Sequence, residues 1–217
     1  MKKKICIVLI VICFIIVGIT ICFLYEFNII PHRKYTNSDF NIITYVSSYD
    51  KDNDGVDDQT DILKNVREYI ATDPKYKSKY YASGYPDDGY GVCTDVIANG
   101  LLGAGYDLRV LVNTHIENNR DMYNIDKVDD KIDFRRVENL KVYFKSMAIS
   151  LTTDVNDIRE WQGGDIVIFS RHIGIVSDKR NRNGIPFLIH HANPYQVHFE
   201  EDVLEDRDDI VGHYRIS

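Results

Sequence analysis

An uninterrupted apolar run from Ile5 to Leu24 follows three lysines at the start of this 217-residue chain. A helix of this length rises about 1.5 Å per residue and crosses a hydrocarbon core about 30 Å thick. The lysines are expected to keep their end of the helix in the cytoplasm, which places the rest of the chain outside. We therefore predict a single-pass cell-membrane protein with an anchor over residues 1–30, a polar linker over 31–49 and an extracytoplasmic domain over 50–217.

A cleaved signal peptide is the alternative to an uncleaved anchor. It needs a shorter apolar segment that ends in small residues, whereas this run ends in ITICFLYEF. A lipid-attached cysteine at Cys22 is disfavoured as well, because Ile21 is bulky where such a site needs a small residue. The sequence thus favours an anchor that stays in the membrane.

The charge of the chain argues against nucleic acid as a partner. The formal net charge is −7 at pH 7, and no stretch forms the basic stripe that a phosphate backbone requires. The residues after the linker are numerous enough to bury the core of one domain.

The pattern of the domain predicts an α+β fold, with helices first and an antiparallel sheet after them. Apolar spacing predicts helices over 60–72 and 93–102, from about Leu108, and over VENLKVYFKSMA. Short β-branched runs then predict the strands DIVIFS, HIGIVSD, PFLIHHA and VGHYRIS.

An acidic loop, DKDNDGVDDQTD, occupies residues 50–61 and precedes the first predicted helix of the domain. Its spacing is that of an EF-hand loop, in which alternate oxygens bind Ca²⁺ and a glycine makes the turn. The predicted ligands of a structural Ca²⁺ are Asp50, Asp52, Asp54, Val56 through its carbonyl, Asp58 and Asp61. Because Asp61 replaces the usual bidentate Glu, the site should be weak. The alternative is a solvated acidic loop at a helix N-terminus.

Cys93 is the one cysteine outside the apolar run, so the domain offers it no disulfide partner. An unpaired thiol outside the cell is either a packed apolar group or a nucleophile. The turn-forming residues before Cys93 favour the second interpretation. A helix start also stabilises the thiolate through unpaired N–H groups and the helix dipole.

Histidines on consecutive predicted strands complete the pattern of a cysteine hydrolase. His172 opens HIGIVSD, and His190 and His191 end PFLIHHA. Adjacent strands can bring two imidazoles together, so that one imidazole accepts the thiol proton and the second imidazole orients the first. Strand alternation sends His190 and His191 to opposite faces, so that one of them alone can meet His172.

These motifs make the chain similar to a known family. It resembles the YijF-like bacterial proteins of unknown function and, beyond them, the NlpC-type papain-like peptidases and amidases of bacterial cell walls. The resemblance covers nearly all of residues 50–217 and rests on YPDDGYGVCTDVI, IDFRRVENLKVYF, WQGGDIV, HIGIVSDKRNRNG, IHHA and VGHYRI.

The resemblance implies a papain-like fold, a nucleophile at Cys93, a base at His172 and an orienting residue at His190. Whether His190 or His191 fills the orienting position is open. The family pattern also implies an oxyanion-site tyrosine at Tyr81, with the backbone N–H of Cys93 as the other donor.

The segment KIDFRRVENL has no counterpart in generic NlpC domains. Asp133, Arg135 and Arg136 could form a fork that binds substrate carboxylates. A buried Arg–Asp pair that fixes a helix start is the alternative.

The sequence and the resemblance together predict a membrane-anchored cysteine amidase or peptidase that needs no cofactor for catalysis. Its expected substrate is an amide bond in peptidoglycan peptide. Two alternatives stay open: a non-catalytic, calcium-stabilised wall-binding module, and an acyltransferase on the same Cys–His site.

Overall fold

A computed structural model describes residues 2–216 of the chain, and the side chains of residues 4–216. It is a mixed α+β fold. The helices are α1 (Lys2–Glu26), α2 (Asp58–Ala71), α3 (Cys93–Gly103), α4 (Leu108–Asn118) and α5 (Val137–Met147). The strands are β1 (Lys75–Tyr76), β2 (Tyr90–Gly91), β3 (Ile149–Ser150), β4 (Ile166–Phe169), β5 (Ile173–Arg180), β6 (Pro186–Ile189), β7 (Glu200–Glu201) and β8 (Ile210–Arg215).

Helix α1 stands apart from the globular part of the molecule. The segment Lys4–Glu26 is long and apolar enough to cross a membrane and is not buried by the rest of the chain. This agrees with the predicted anchor, although a signal sequence passes the same test of length and composition.

Six strands form one antiparallel sheet in the order β3-β8-β4-β5-β6-β7. The central strands have apolar residues on both faces, because each face covers a separate core. Ile173, Ile175 and Ile189 pack against the helices in the larger core. Val176 and Leu188 pack with the buried Trp161 on the other side of the sheet. The predicted α+β arrangement with an antiparallel sheet is confirmed.

Helices α2 and α3 pack closely and hold the first residue of α3 against the sheet. Asp57 caps α2, since its side chain accepts a hydrogen bond from the Thr60 N–H. A Cβ atom at Gly100 of α3 would lie 2.3 Å from the Val66 side chain of α2. The glycine therefore sets the approach of the two helices.

The predicted linker is part of the folded unit, contrary to the boundary expected at residue 50. Tyr35 pairs with Arg180 as an isolated β-bridge. Asn37 accepts a 2.5 Å hydrogen bond from Arg180 Nε and donates one to Gln162. Arg180 is fully buried, and a buried guanidinium needs acceptors. Residues of the predicted linker supply one of these acceptors, so the linker belongs to the folded domain.

Candidate active site

Cys93 is the first residue of α3, as the sequence predicts. The chain enters this helix through an extended Val92, whose N–H donates a 2.8 Å hydrogen bond to the Asp95 carboxylate. A carboxylate in the first turn satisfies a backbone donor and interacts favourably with the helix dipole. The turn before Cys93 is thereby fixed.

The thiol of Cys93 lies against the beginning of β5. Burial raises the pKa of this thiol to about 11, although hydrogen bonds from the backbone N–H groups of Ile173 and Thr94 act in the opposite direction. The expected depression of the thiol pKa is therefore not found, because lost hydration outweighs the N–H groups of the helix start. The resting thiol is protonated at neutral pH.

The contact with the Ile173 N–H places the sulfur beside the residue that follows His172. Nε2 of His172 lies 2.7 Å from Nδ1 of His190, and Nε2 of His190 lies 3.0 Å from the Glu201 carboxylate. The structure thus joins His172, His190 and Glu201 in one hydrogen-bonded chain across β5, β6 and β7.

The free ring nitrogen of His172 is Nδ1, which forms no hydrogen bond with residues 4–216. Within the same range, no hydrogen bond links Cys93 to an imidazole. Burial, with nearby His190 and Arg207, lowers the pKa of His172 to about 3. Burial and Arg207 also lower the pKa of His190 to about 3. Both rings are therefore neutral at pH 7.

His191 forms no hydrogen bond with His172 and packs instead against Tyr76. Its ring packs edge-on against Tyr76, with centroids 5.1 Å apart. Both residues line a groove of about 460 Å³ that also includes Tyr90. Tyr76 is close enough to Cys93 for the thiolate charge to contribute, after burial, to a raised pKa of the phenol. Of the two adjacent histidines, His190 is therefore the one that forms a hydrogen bond with His172.

Tyr81 is held by partners other than the thiol. Its side chain is buried, and its hydroxyl donates a 2.8 Å hydrogen bond to Asp88. Burial and Asp88 raise the pKa of Tyr81 to about 12. The guanidinium of Arg135 lies 5.0 Å from its ring. The hydroxyl proton is thus already donated to a carboxylate rather than to a substrate oxyanion.

Arg135 forms a buried ion pair that supports α3. Its guanidinium donates to both carboxylate oxygens of Asp95, at 2.6 and 2.9 Å, and to the Lys79 carbonyl. The side chains of the pair are 2% and 0% exposed. Because each of its three nitrogens already forms a hydrogen bond and the side chain is 2% exposed, Arg135 does not offer a free fork to a substrate carboxylate. A buried Arg–Asp pair at a helix start is present, as in the alternative interpretation, but its acid is Asp95 of α3 and not Asp133.

Arg136 and Asp133 occupy separate environments. The Arg136 side chain is 52% exposed and lies 3.7 Å from Asp133, which is buried. Asp133 accepts the Asp129 N–H and so closes the loop before α5. Arg136 is the member of the predicted fork that is open to solvent.

The acidic loop brings part of the predicted calcium set together. Ligand oxygens of Asp50, Asp52 and Asp54 lie within 4.8 Å of one another. Desolvation and the like charges of Asp54 and Asp61 raise the pKa of Asp52. Crowded carboxylates of this kind fit a hard cation.

Asp58 departs from the predicted set, because the Tyr106 hydroxyl and the Lys51 N–H both donate to its carboxylate. The structure shows no contact between the Val56 carbonyl and the other predicted ligands, whereas the Val56 N–H donates a hydrogen bond to Asp54.

Sequence reasoning missed Tyr76, Asp95 and Glu201. Tyr76 lies in a tyrosine-rich segment between two predicted helices, where it pairs with Gly91 in a short parallel bridge. Asp95 could have been found from its spacing, since an acid at the third position of a helix is typical of a cap. Glu201 lies on a two-residue strand that is too short to predict.

Comparisons with known proteins agree on a family. The sequence model of a domain of unknown function, DUF1287, matches residues 63–216. The Escherichia coli (strain K12) protein described as uncharacterized protein YijF is 36% identical over 152 residues, which cover 66% of this chain and 72% of that protein. No solved structure matches the chain.

Proposed function

The chain belongs to DUF1287, a family of domains of unknown function, and we propose that this member is a membrane-anchored cysteine amidase or peptidase. One observation carries the proposal. The thiol of Cys93 lies against the Ile173 N–H, and the neighbouring His172 is hydrogen-bonded through His190 to a carboxylate. A nucleophile, a neutral base and a residue that orients the base are the parts that thiol-dependent acyl transfer needs.

In the proposed reaction, sulfur bonds to the substrate carbonyl carbon while the thiol proton passes to Nδ1 of His172. The backbone N–H of Cys93 stabilises the oxyanion. The C–N bond then breaks, and His172 returns its proton to the departing amine. His172 next accepts a proton from water, whose oxygen attacks the acyl-thioester; the C–S bond breaks to release the acid, and His172 returns the proton to sulfur. Since the thiol and the imidazole are both neutral at rest, the proton moves during the attack.

The proposed fold is papain-like and of the NlpC type. Its support is a cysteine at the start of a helix packed on an antiparallel sheet, with the base directly before one strand and its partner directly after the adjacent strand. The proposed location is the extracytoplasmic face of the cell membrane, and its support is the three lysines that begin α1. Peptidoglycan peptide is the proposed substrate.

Calcium is proposed as a structural ion rather than a catalytic one. Asp50, Asp52 and Asp54 would hold it, together with Asp61, whose charge already affects Asp52. The loop leads directly into α2, which packs on α3, so that a bound cation would stiffen the support of Cys93.

A non-catalytic wall-binding module is the second candidate, and the raised pKa of the Cys93 thiol favours it. A buried thiol that stays protonated can serve as a packed apolar group. In that case the groove beside Tyr76 and His191 would hold peptide without cleaving it. An acyltransferase differs from the hydrolase in the nucleophile that accepts the acyl group.

The test is incubation of the full-length protein, in detergent micelles, with purified peptidoglycan, followed by mass spectrometry of released fragments. Cys93→Ala is the variant and Cys22→Ala, in α1, is the matched control. Release by the unmodified protein and by Cys22→Ala, but not by Cys93→Ala, supports the hydrolase. Fragments that are bound but never cleaved identify a binding module. Fragments joined to an added amine identify an acyltransferase.

A further inference from the structure

Glu201 is a largely buried carboxylate whose partners connect it to the proposed base. Its side chain is 11% exposed. One oxygen lies 3.0 Å from Nε2 of His190 and 3.1 Å from Nε2 of Gln196. We propose that Glu201 is a positioning residue that sets the ring tautomers of His190 and His172; this inference rests on the proposed function of the site.

The argument follows the hydrogen bonds outward from the carboxylate. An ionised carboxylate can only accept, so Nε2 of His190 must carry its proton. A neutral imidazole has one N–H, which leaves Nδ1 of His190 as an acceptor. The bond of 2.7 Å at that atom must then be donated by Nε2 of His172. His172 consequently presents an unprotonated Nδ1, which is the form that can accept the thiol proton.

The hydrogen-bonded chain has a second state, in which donor and acceptor are exchanged in each of its hydrogen bonds. A protonated Glu201 can donate to Nε2 of His190, which then carries its proton on Nδ1 and donates to His172. The free Nδ1 of His172 becomes an N–H in this state and cannot act as a base. The protonation state of Glu201 therefore determines whether Nδ1 of His172 can act as a base.

The groups around Glu201 allow both states near neutral pH. Burial raises the pKa of Glu201 to about 7, whereas His198 and the Gln196 hydrogen bond act to lower it. Arg207, Asp209 and His191 face the imidazoles, and of these Asp209 alone raises the pKa of His172. Because both rings stay neutral, the transition with pH is an exchange of tautomers. The active tautomer forms as the pH rises through about 7.

The first experiment measures the tautomers directly, by NMR of isotope-labelled histidine nitrogens in the full chain. Glu201→Leu removes the acceptor, and Glu200→Leu is the matched control on the same strand, since Glu200 contacts Ser177 and Arg67 instead. The signals of His172 and His190 should change in the first variant and not in the second. Unchanged signals in Glu201→Leu would overturn the proposal. In the unmodified protein, His172 should exchange tautomers near pH 7, and a single tautomer from pH 5 to 9 would overturn it without any variant.

The second experiment uses release of fragments from purified peptidoglycan. Glu201→Leu should lower kcat roughly hundredfold, the lower range for the loss of a general base, with KM unchanged. Glu201→Asp should recover activity to within about tenfold of the unmodified protein. An equal loss of kcat in Glu200→Leu would show a merely structural role and overturn the proposal. The expected tautomers in a protein that releases nothing would refute the proposed function and leave the role of Glu201 standing.

Discussion

Replacing Arg135 by methionine should destabilise the domain more than any exposed arginine substitution. Asp95 is fully buried, and Arg135 satisfies both of its oxygens. Methionine keeps the apolar stem of the side chain but removes the cation, so that a buried carboxylate is left without its partner. Removal of one member of a buried ion pair costs about 3–5 kcal/mol of unfolding free energy.

The expected change in melting temperature follows from the size of the chain. At about 2–4 °C per kcal/mol for a protein of this length, Arg135→Met should lower Tm by about 6–20 °C. Thermal unfolding of the full-length protein, followed by near-ultraviolet circular dichroism in detergent, measures the shift. Arg136→Met is the matched control, because the Arg136 side chain is 52% exposed and 3.7 Å from its carboxylate. An exposed pair contributes about 0–1 kcal/mol.

The double variant Arg135→Met with Asp95→Asn separates charge from packing. If the loss comes from an uncompensated carboxylate, removing that charge should restore part of the stability. If Arg135→Met loses no more stability than Arg136→Met, or if Asp95→Asn deepens the loss, the buried pair is not what holds the start of α3.

Three further measurements test other parts of the structure. Calcium should raise Tm of the unmodified protein and of the control Asp87→Ala but not of Asp54→Ala, and no response in the unmodified protein would refute the site. The alkylation rate of Cys93 should keep rising towards an inflection at about pH 11, because burial raises the pKa of the reactive thiol; an inflection below pH 8 would show that the helix start outweighs burial. Gly100→Ala should cost about 1–3 kcal/mol through overpacking against α2, whereas Gly18→Ala, which meets nothing within 4 Å, should leave Tm unchanged.

Local patterns were enough to predict the main elements of the fold. Apolar spacing predicted a helix over 60–72, and α2 spans Asp58–Ala71 with Ile62, Leu63 and Val66 buried. The β-branched runs became β4, β5, β6 and β8. The turn formers before Cys93 located the start of α3 to the residue. These features depend on residues that are close to one another in the sequence, so they can be recognised in a single sequence.

Contacts between distant segments could not be predicted in the same way. Asp95 and Arg135 are 40 positions apart, and the sequence suggested Asp133 as the acid near Arg135. Burial was the other missing quantity. It raises the pKa of Cys93 although the residue stands where N–H groups favour the thiolate. Side-chain hydration depends on the packing of α3 on the sheet, and no local motif records it.

Contacts at the junction between α1 and the domain restrict the distance between Cys93 and any membrane that α1 crosses. Asn28 and His32 both bind Asp202, the latter at 2.8 Å, and Tyr35 already pairs with Arg180. If the 19 residues from 31 to 49 were a flexible linker, their full extension would place the domain about 60 Å from the end of α1. These contacts hold the residues that follow α1 against the domain, so that a membrane crossed by α1 would lie at a distance from Cys93 that the fold determines.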